Sequence, residues 1–150
     1  MERSFKGSPK KISLTSEASM FHYVEYDPKK REVVKQTLSI HNNGKVFWNE
    51  YILAPNFGHT LEKHRFKIDA QKAQEIIQDV AKHFETNLED MACDAGMWEI
   101  KILCEEGEVF NYYGMLGDVS PKLEDASERI RLLIPDQNIW AFDGNRSEDD

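Results

Sequence analysis

Two histidines and a carboxylate lie close together in the sequence Gly-His-Thr-Leu-Glu-Lys-His, which covers residues 58–64. Imidazole and carboxylate groups can bind zinc or act as general acid and base. A zinc site needs further ligands, however, and no Cys-x-x-Cys pair supplies them. The simpler interpretation of His59 and His64 is two polar loop residues. The sequence therefore predicts no metal site, and the two histidines stay candidates for contact with a ligand.

Carboxylates are concentrated between residues 85 and 108, a segment with eight acidic residues and a single basic residue, Lys101. Paired carboxylates act as acid and base only when they share a partly dry cleft that separates their pKa values. The acid pairs here fall in a predicted loop and a predicted turn, so solvated surface is the better interpretation. Such a surface forms an acidic rim, in which Glu89, Asp90 and Asp94 are candidate contacts for a basic partner.

Recognisable catalytic motifs are absent from the sequence. The chain has no glycine-rich phosphate loop, no Gly-x-Ser-x-Gly and no His-Glu-x-x-His. These absences favour a protein that is not an enzyme, although many active sites have no local motif. The sequence also indicates no cofactor.

Aromatic residues recur on the predicted strands, with Trp48, Tyr51, Tyr112 and Tyr113 as the main candidates for binding. Successive side chains of a strand point to opposite faces, so Tyr112 and Tyr113 cannot both face one layer. A sheet with helices on one side would then present aromatic residues on its open face, as contact surfaces do. The alternatives are a homodimer seam, a ligand groove and ordinary burial on both sides.

Most of these residues belong to a predicted antiparallel meander. Residues 1–18 show no sustained periodicity, which predicts a flexible N-terminal tail or a poorly anchored first strand. Strands are predicted over 20–26, 33–41 and 46–53, with a short fourth strand at 64–68. The Asn-Asn-Gly-Lys sequence between the second and third strands is typical of a type I′ hairpin turn.

The second half of the chain predicts a helix, a hairpin and another helix. Apolar residues recur at helical spacing over 69–85. Alternating residues and a Glu-Glu-Gly turn predict a hairpin over 97–115. Ser120 is predicted to cap a second helix, which ends at Pro135. A short apolar segment then follows, and it could dock as a last strand or pack over the core.

The order of the elements, β-β-β-(β)-α-β-β-α, predicts an α+β fold. Strands that follow one another through hairpins form an antiparallel sheet, here of five to six strands with two helices packed on one face. We expect a single domain over residues 19–143 and an acidic tail over 144–150.

Size and composition agree with one globular domain. The chain has 150 residues, of which 40% are hydrophobic, and its net charge is -8. No apolar run approaches the ~20 residues that span a bilayer, and the N-terminus lacks the apolar stretch of a secretory signal. These features predict a cytoplasmic protein. The negative charge disfavours nucleic acid as a partner.

The C-terminal third of the chain has a characteristic pattern. An alternating strand, Trp98-x-Ile100-x-Ile102, is followed by Gly107, Gly114 and Pro121 and then by a closing helix with an Ile-x-x-x-Ile repeat. This pattern resembles that of small α+β proteins found widely in Firmicute bacteria. The resemblance implies a hairpin followed by a helix and a bacterial source. It implies no activity, because that group has no established function.

Together these observations predict a cytoplasmic, non-enzymatic protein that binds another protein or a second copy of itself. The aromatic sheet face and the acidic rim would form the contact, as in an immunity protein that neutralises a basic toxin. The alternative is a small-molecule binder or enzyme with a cleft near residues 55–64. There His59, His64, Tyr112 or Tyr113 would meet the ligand. No membrane partner is expected.

Overall fold

The computed structural model describes residues 4–17, 26–87, 96–116, 120–135 and 137–144, with Phe57 described by its backbone alone. These residues form six strands, two α-helices and a short 3-10 turn at Pro55–Phe57. The strands are β1 (Pro9–Glu17), β2 (Val33–His41), β3 (Lys45–Ala54), β4 (Gly58–Lys67), β5 (Met97–Cys104) and β6 (Val109–Met115), and the helices are α1 (Ala70–Thr86) and α2 (Pro121–Leu133).

The six strands form one antiparallel sheet in the order β4-β3-β2-β1-β5-β6. The chain is therefore an α+β protein, and the predicted fold class is confirmed. Because β1 lies between β2 and β5, it joins the N-terminal meander to the C-terminal hairpin. Both edges of the sheet, β4 and β6, belong to hairpins.

The N-terminal residues differ from the predicted flexible tail. Residues 9–17 form β1, which hydrogen-bonds to a neighbour on each side in the middle of the sheet. Ahead of the strand, Phe5 is buried, packs edge-on against Phe110 and donates its backbone N–H to Phe84 O at 2.9 Å. The sequence signal was weak because only Ile12 and Leu14 alternate with polar residues there. Tertiary pairing, rather than local pattern, makes this segment a strand.

Two other predicted segments lie outside the described residues. The strand predicted over residues 20–26 falls almost entirely there, as does nearly all of the C-terminal tail. The β2–β3 hairpin lies where it was predicted, but its turn is not type I′. Gly44 donates its N–H to His41 O at 3.0 Å, and Gly44, at φ +92°, is the only turn residue with a positive φ, whereas type I′ needs two. A Cβ at this glycine would lie 2.3 Å from Ile68 O, so its backbone position accepts no other residue without strain.

The core lies between one face of the sheet and the two helices. The predicted helical stripe of α1 is buried there, and so are Leu123, Ala126 and Ile130 of α2. The Asp69 carboxylate caps α1 by accepting from Gln71 N–H. Ser120 stands at the N-cap position of α2, although its side chain makes no capping hydrogen bond. No helix in the described ranges is long and apolar enough to cross a membrane.

The C-terminal segment of residues 137–144 packs into the core instead of forming a strand. Its apolar residues Ile139–Phe142 are all buried. The side chain of Gln36 on β2 holds this segment, since its Nε2 donates to Asn138 O at 2.7 Å and its Oε1 accepts from Trp140 N–H at 2.9 Å. The same Oε1 accepts from Trp48 Nε1 at 3.0 Å. The buried amide of Gln36 therefore links β2, β3 and the segment of residues 137–144.

Helix α2 supplies a second attachment for the same segment. The guanidinium of Arg131 donates to the carbonyl oxygens of Ile139 at 2.8 Å and Trp140 at 2.9 Å, and it pairs with the buried carboxylate of Asp143. From the same helix, the Ser127 hydroxyl accepts from Phe142 N–H at 3.1 Å. These contacts satisfy the polar backbone of a segment that has no ladder partner of its own.

Replacing the Gln36 amide tests whether it holds the C-terminal segment and β3 to β2. We expect Gln36→Met to lower the free energy of unfolding by about 3 kcal/mol, because the buried Trp48 Nε1 and Trp140 N–H and the partly buried Asn138 carbonyl lose their partner while the side-chain volume is kept. Urea denaturation measures the loss, and hydrogen exchange at the Trp140 amide should become faster. The control is Gln74→Met, which removes one exposed hydrogen bond to Asn42 O. Equal losses in the two variants would contradict this role.

Close packing of Gly114 against Trp98 provides a second test. A Cβ at Gly114 would lie 2.1 Å from the Trp98 ring, which is fully buried. We expect Gly114→Ala to cost about 3 kcal/mol, because neither the ring nor the β6 backbone has room to move. Gly107→Ala is the control, since its Cβ would meet nothing within 4 Å and only its positive φ of +94° opposes the substitution. That control should cost about 1 kcal/mol.

Candidate functional site

The face of the sheet turned away from the helices is the candidate site, and we call it the open face. It is formed by the odd-numbered strand residues other than Pro9 and Val33, which precede register shifts in β1 and β2, because residues paired across neighbouring strands share a face. Between residues 11 and 115, each of these odd-numbered side chains is half-buried or exposed. The even-numbered residues of the four central strands are mostly buried on the other side.

Small polar side chains occupy the middle of the open face. Ser13 and Thr15 of β1 lie directly opposite Ser39 and Thr37 of β2. The Ser13 and Ser39 hydroxyls are 3.1 Å apart, and Asn49 Nδ2 donates to the Thr37 hydroxyl at 3.0 Å. Short side chains leave this strip lower than its surroundings. We call it the hydroxyl floor.

Cations surround the hydroxyl floor. The open face carries seven Lys or Arg side chains and two acids, Glu17 and Glu99, and the cations are Lys11, Lys35, Lys45, Lys63, Arg65, Lys67 and Lys101. The face therefore has a formal charge of +5, although the whole chain has a net charge of -8. The excess of acids lies elsewhere on the molecule.

The titration of His41 agrees with a positive local field. Partial burial lowers the pKa of this imidazole, and the neighbouring charges of Lys11 and Lys45 lower it further. Both effects disfavour the protonated form of His41, as a positive neighbourhood does.

Two aromatic rings of the open face lie under cations. The Arg65 guanidinium lies 5.5 Å from the centre of the Phe47 ring, and His41 packs edge-on against the same ring at 5.4 Å. The Lys35 ammonium lies 5.0 Å from the centre of the Tyr51 ring. These cation–π contacts orient the long side chains over the sheet.

The predicted aromatic contacts divide between the two faces. Tyr51 and Tyr113 lie on the open face, where Asn111 Nδ2 lies 2.7 Å from the Tyr113 hydroxyl. Trp48 and Tyr112 are buried on the helix side, at 1% and 0% exposure, so they are core residues and not surface contacts. In the sheet order, β3 and β6 are four strand spacings apart, about 19 Å. Tyr51 and Tyr113 therefore mark separate parts of the face.

The residues of the predicted 55–64 cleft do not converge. His59 and His64 belong to β4 and, being five residues apart in a regular strand, point to opposite faces. His59 is exposed on the open face, whereas His64 stacks on Trp48 at 4.7 Å on the helix side. Tyr113 lies on the opposite edge strand. The predicted acidic contacts Glu89, Asp90 and Asp94 lie outside the described residues.

A charged cluster that the sequence analysis missed lies beside β3 and β4. Glu50 is only 5% exposed, and its Oε1 accepts from the Arg31 guanidinium at 2.6 Å and lies 3.2 Å from His64 Nε2. The same Arg31 nitrogen donates to Glu62 at 2.8 Å. Glu50 occupies a position that alternation assigns to the core, between Trp48 and Ile52. A carboxylate at such a position is a sequence signal for a buried ion pair.

Arg31 bonds to both carboxylates of the cluster and offsets one of their two negative charges. The hydrogen bonds that Arg31 donates to Glu50 and Glu62 raise the pKa of Arg31 above its ordinary value, and the bond to Glu62 lowers the pKa of that carboxyl. Ligand atoms of Glu50, Glu62 and His64 lie within 4.8 Å of one another, a spacing that a metal ion could use. Arg31 already bonds to both carboxylates, so the arrangement is explained as an ion-pair network that ties the segment before β2 to the β3–β4 edge.

A shallow cleft lies at another end of the molecule. Its volume is about 570 Å³, and it lies between α1 and the segment before β1, next to Gln74, Gln78, Lys82 and Glu85. Glu105 borders it from the β5–β6 turn. This lining contains no histidine or cysteine and no pair of acids in contact, so the cleft does not indicate catalysis.

Comparison with known proteins identifies no relatives: no family model and no curated protein matches the chain significantly. The resemblance to small Firmicute proteins therefore stays a prediction.

Removing Arg31 tests the charged cluster through pH. The pKa of Glu62 is depressed in the folded protein, so its contribution to stability is present above the unfolded value of about 4.3 and is lost as the pH falls through the folded value. We expect Arg31→Met to raise the pKa of Glu62 and to reduce the loss of stability in that acid range. Carbon-13 NMR of the carboxyl group measures the titration.

The matched control is Arg129→Met, since Arg129 pairs with Asp79 at 2.6 Å between the two helices. It should leave the titration of Glu62 unchanged. If Arg31→Met also left that titration unchanged, the ion-pair description of the cluster would fail.

Proposed function

We propose that this protein is a non-enzymatic, cytoplasmic interaction module that binds another protein through the open face of its sheet. One observation carries the proposal: the described helices cover a single face, and the other face presents aromatic, hydroxyl and cationic side chains that are only partly buried. Interfaces are enriched in Tyr, Phe and Arg, which are present here. The bacterial resemblance is part of the same proposal.

Catalysis has less support. The buried carboxylate of Glu50 is held by Arg31 and His64, and Arg31 also holds Glu62. A general acid or base needs access to a substrate and a separated pKa, whereas these groups face one another in an ion-pair network. The histidines that could have formed a cleft lie on opposite faces of β4.

A second copy of the chain fits the open face poorly. In a two-fold interface the same patch meets itself, so a face with a charge of +5 would lie against an identical one. Like charges held close together oppose association. A different molecule is therefore the better occupant, and a homodimer is an outcome that the experiment below distinguishes.

The immunity-like version of the function would place a basic toxin against acidic groups. Glu105, Glu106 and Glu108 belong to or border the β5–β6 turn, at one end of the sheet. They do not surround Phe47 and Tyr51, which lie under Arg65 and Lys35. Tyr113 lies opposite Glu99 on β5. A basic partner would thus use that end of the molecule and not the open face.

Position-specific crosslinking tests the proposed contact surface. A photoreactive phenylalanine analogue replaces Tyr51 or Tyr113 on the open face, and Lys72 on the exposed side of α1 is the control position. In cells that express the protein, we expect a discrete adduct from the open-face positions and none from Lys72. Mass spectrometry identifies the crosslinked molecule, and an adduct of two copies of the chain would indicate the homodimer.

The identified partner is then purified and its binding measured with Tyr51→Ala, which removes ring area from the open face. We expect the dissociation constant to rise about tenfold, the loss of one well-packed aromatic contact. Adducts that arise only from Lys72, or a dissociation constant that Tyr51→Ala leaves unchanged, would contradict the proposal.

A further inference from the structure

We infer that the partner presents an acidic surface to the open face: a patch or segment of a protein rich in Asp and Glu side chains. This inference rests on the proposed function and names the chemistry of the partner. It reverses the expectation of a basic partner for this face. Three features of the open face support an acidic partner: the arrangement of its cations, their confinement to this face, and the cations that lie over its aromatic rings.

The arrangement matches carboxylates. Along one row across the sheet, Arg65 and Phe47 of the outer strands are followed by Ser39 and Ser13 of the hydroxyl floor and then by Lys101. The two cations are four strand spacings apart, about 19 Å. Carboxylate oxygens only accept hydrogen bonds, and this row offers guanidinium, hydroxyl and ammonium donors. Charge-assisted bonds from Arg and Lys are among the stronger polar contacts.

The next row repeats the pattern with one difference. Lys63 and Asn49 are followed by Thr37 and Thr15 of the hydroxyl floor. The row then continues to Glu99 on β5, whose carboxylate accepts from Asn111 Nδ2 at 2.8 Å, and to Tyr113 on β6. A partner would therefore meet more positive charge on the β4 side than near Glu99. This asymmetry favours one orientation of an acidic segment over the reverse.

Charge confinement favours a compact acidic patch over a nucleic acid. The chain as a whole has a net charge of -8, and at physiological salt charges are screened beyond about 8 Å. A partner whose acids lie within the open face meets mainly cations. A nucleic acid strand carries its charge along its whole length, so any part that runs past the face would meet the acidic remainder of the protein.

The aromatic rings of the open face give a second reason to favour an acidic protein surface over a nucleic acid. Sequence-tolerant binding of single strands relies on bases that stack on free aromatic faces. Here Arg65 lies over Phe47 and Lys35 over Tyr51, so each ring already has a cation on one of its faces. A base would have to displace that contact. A carboxylate can bind the same cation and leave it over the ring.

Fluorescence anisotropy with three probes tests the inference on the intact protein. The probes are a labelled Glu/Asp-rich peptide, labelled single-stranded oligothymidylate and a labelled Lys-rich peptide. The test variant is Lys63→Glu with Arg65→Glu, and the matched control is Lys72→Glu with Lys82→Glu. All four residues are exposed, and the control pair lies on α1 and changes the net charge equally. Circular dichroism checks that each variant folds.

We expect the acidic peptide to bind at low salt and to weaken as salt is added. The dissociation constant should rise about tenfold or more in the open-face variant and less than about twofold in the control. Equal weakening in the two variants would mean that net charge, and not the open face, attracts the peptide. That result, or no binding of the acidic peptide, would overturn the inference.

The other probes separate the remaining possibilities. Oligothymidylate that binds more tightly than the acidic peptide, with the same loss in the open-face variant, would show a nucleic acid site and overturn the inference. If the Lys-rich peptide bound more tightly than the acidic peptide, the partner would be basic and the inference would be overturned. If crosslinking still labels the open face in either case, the proposed function survives without the acidic partner. Absence of such labels would remove the proposed function itself.

Discussion

Side chains alternate between two faces along every strand of this sheet, and the described helices cover only one of those faces. This constraint decides the environment of most residues in the molecule. Neighbours such as Phe47 and Trp48, or Tyr112 and Tyr113, differ entirely in exposure because one member of each pair packs under the helices. It also separates His59 from His64. A one-residue slip in register would exchange the core for the open face.

The same constraint places polar residues on the buried side, and each finds a partner. Ser16, Gln36 and Glu50 follow one another across β1, β2 and β3. The first two bond to the C-terminal segment, and Glu50 bonds to Arg31. Burying a polar group is costly unless it is hydrogen-bonded, so these partners are a condition for the row to be buried at all. The segment of residues 137–144 is therefore part of the fold and not an appendage to it.

Charge shows the same separation of faces. The total of -8 suggested an acidic protein with a basic partner, yet the strands carry a cluster of cations on the open face. Summed charge describes behaviour at long range, whereas a partner in contact meets the local groups. The Lys and Arg side chains lie over polar and aromatic residues of the sheet, so their positions are set by strand pairing. The composition of the chain does not reveal a local site of this kind.

The sequence by itself determined the α+β class, the hairpins, both helices and the split of adjacent aromatics between faces. Those features follow from local periodicity and turn chemistry, which act over a few residues. Only the tertiary structure decided that residues 9–17 form a central strand, that Glu50 meets Arg31, and that seven cations share one face. Each of these depends on which strands lie side by side. Strand order is set by long-range packing, and that is why no local pattern revealed the basic face.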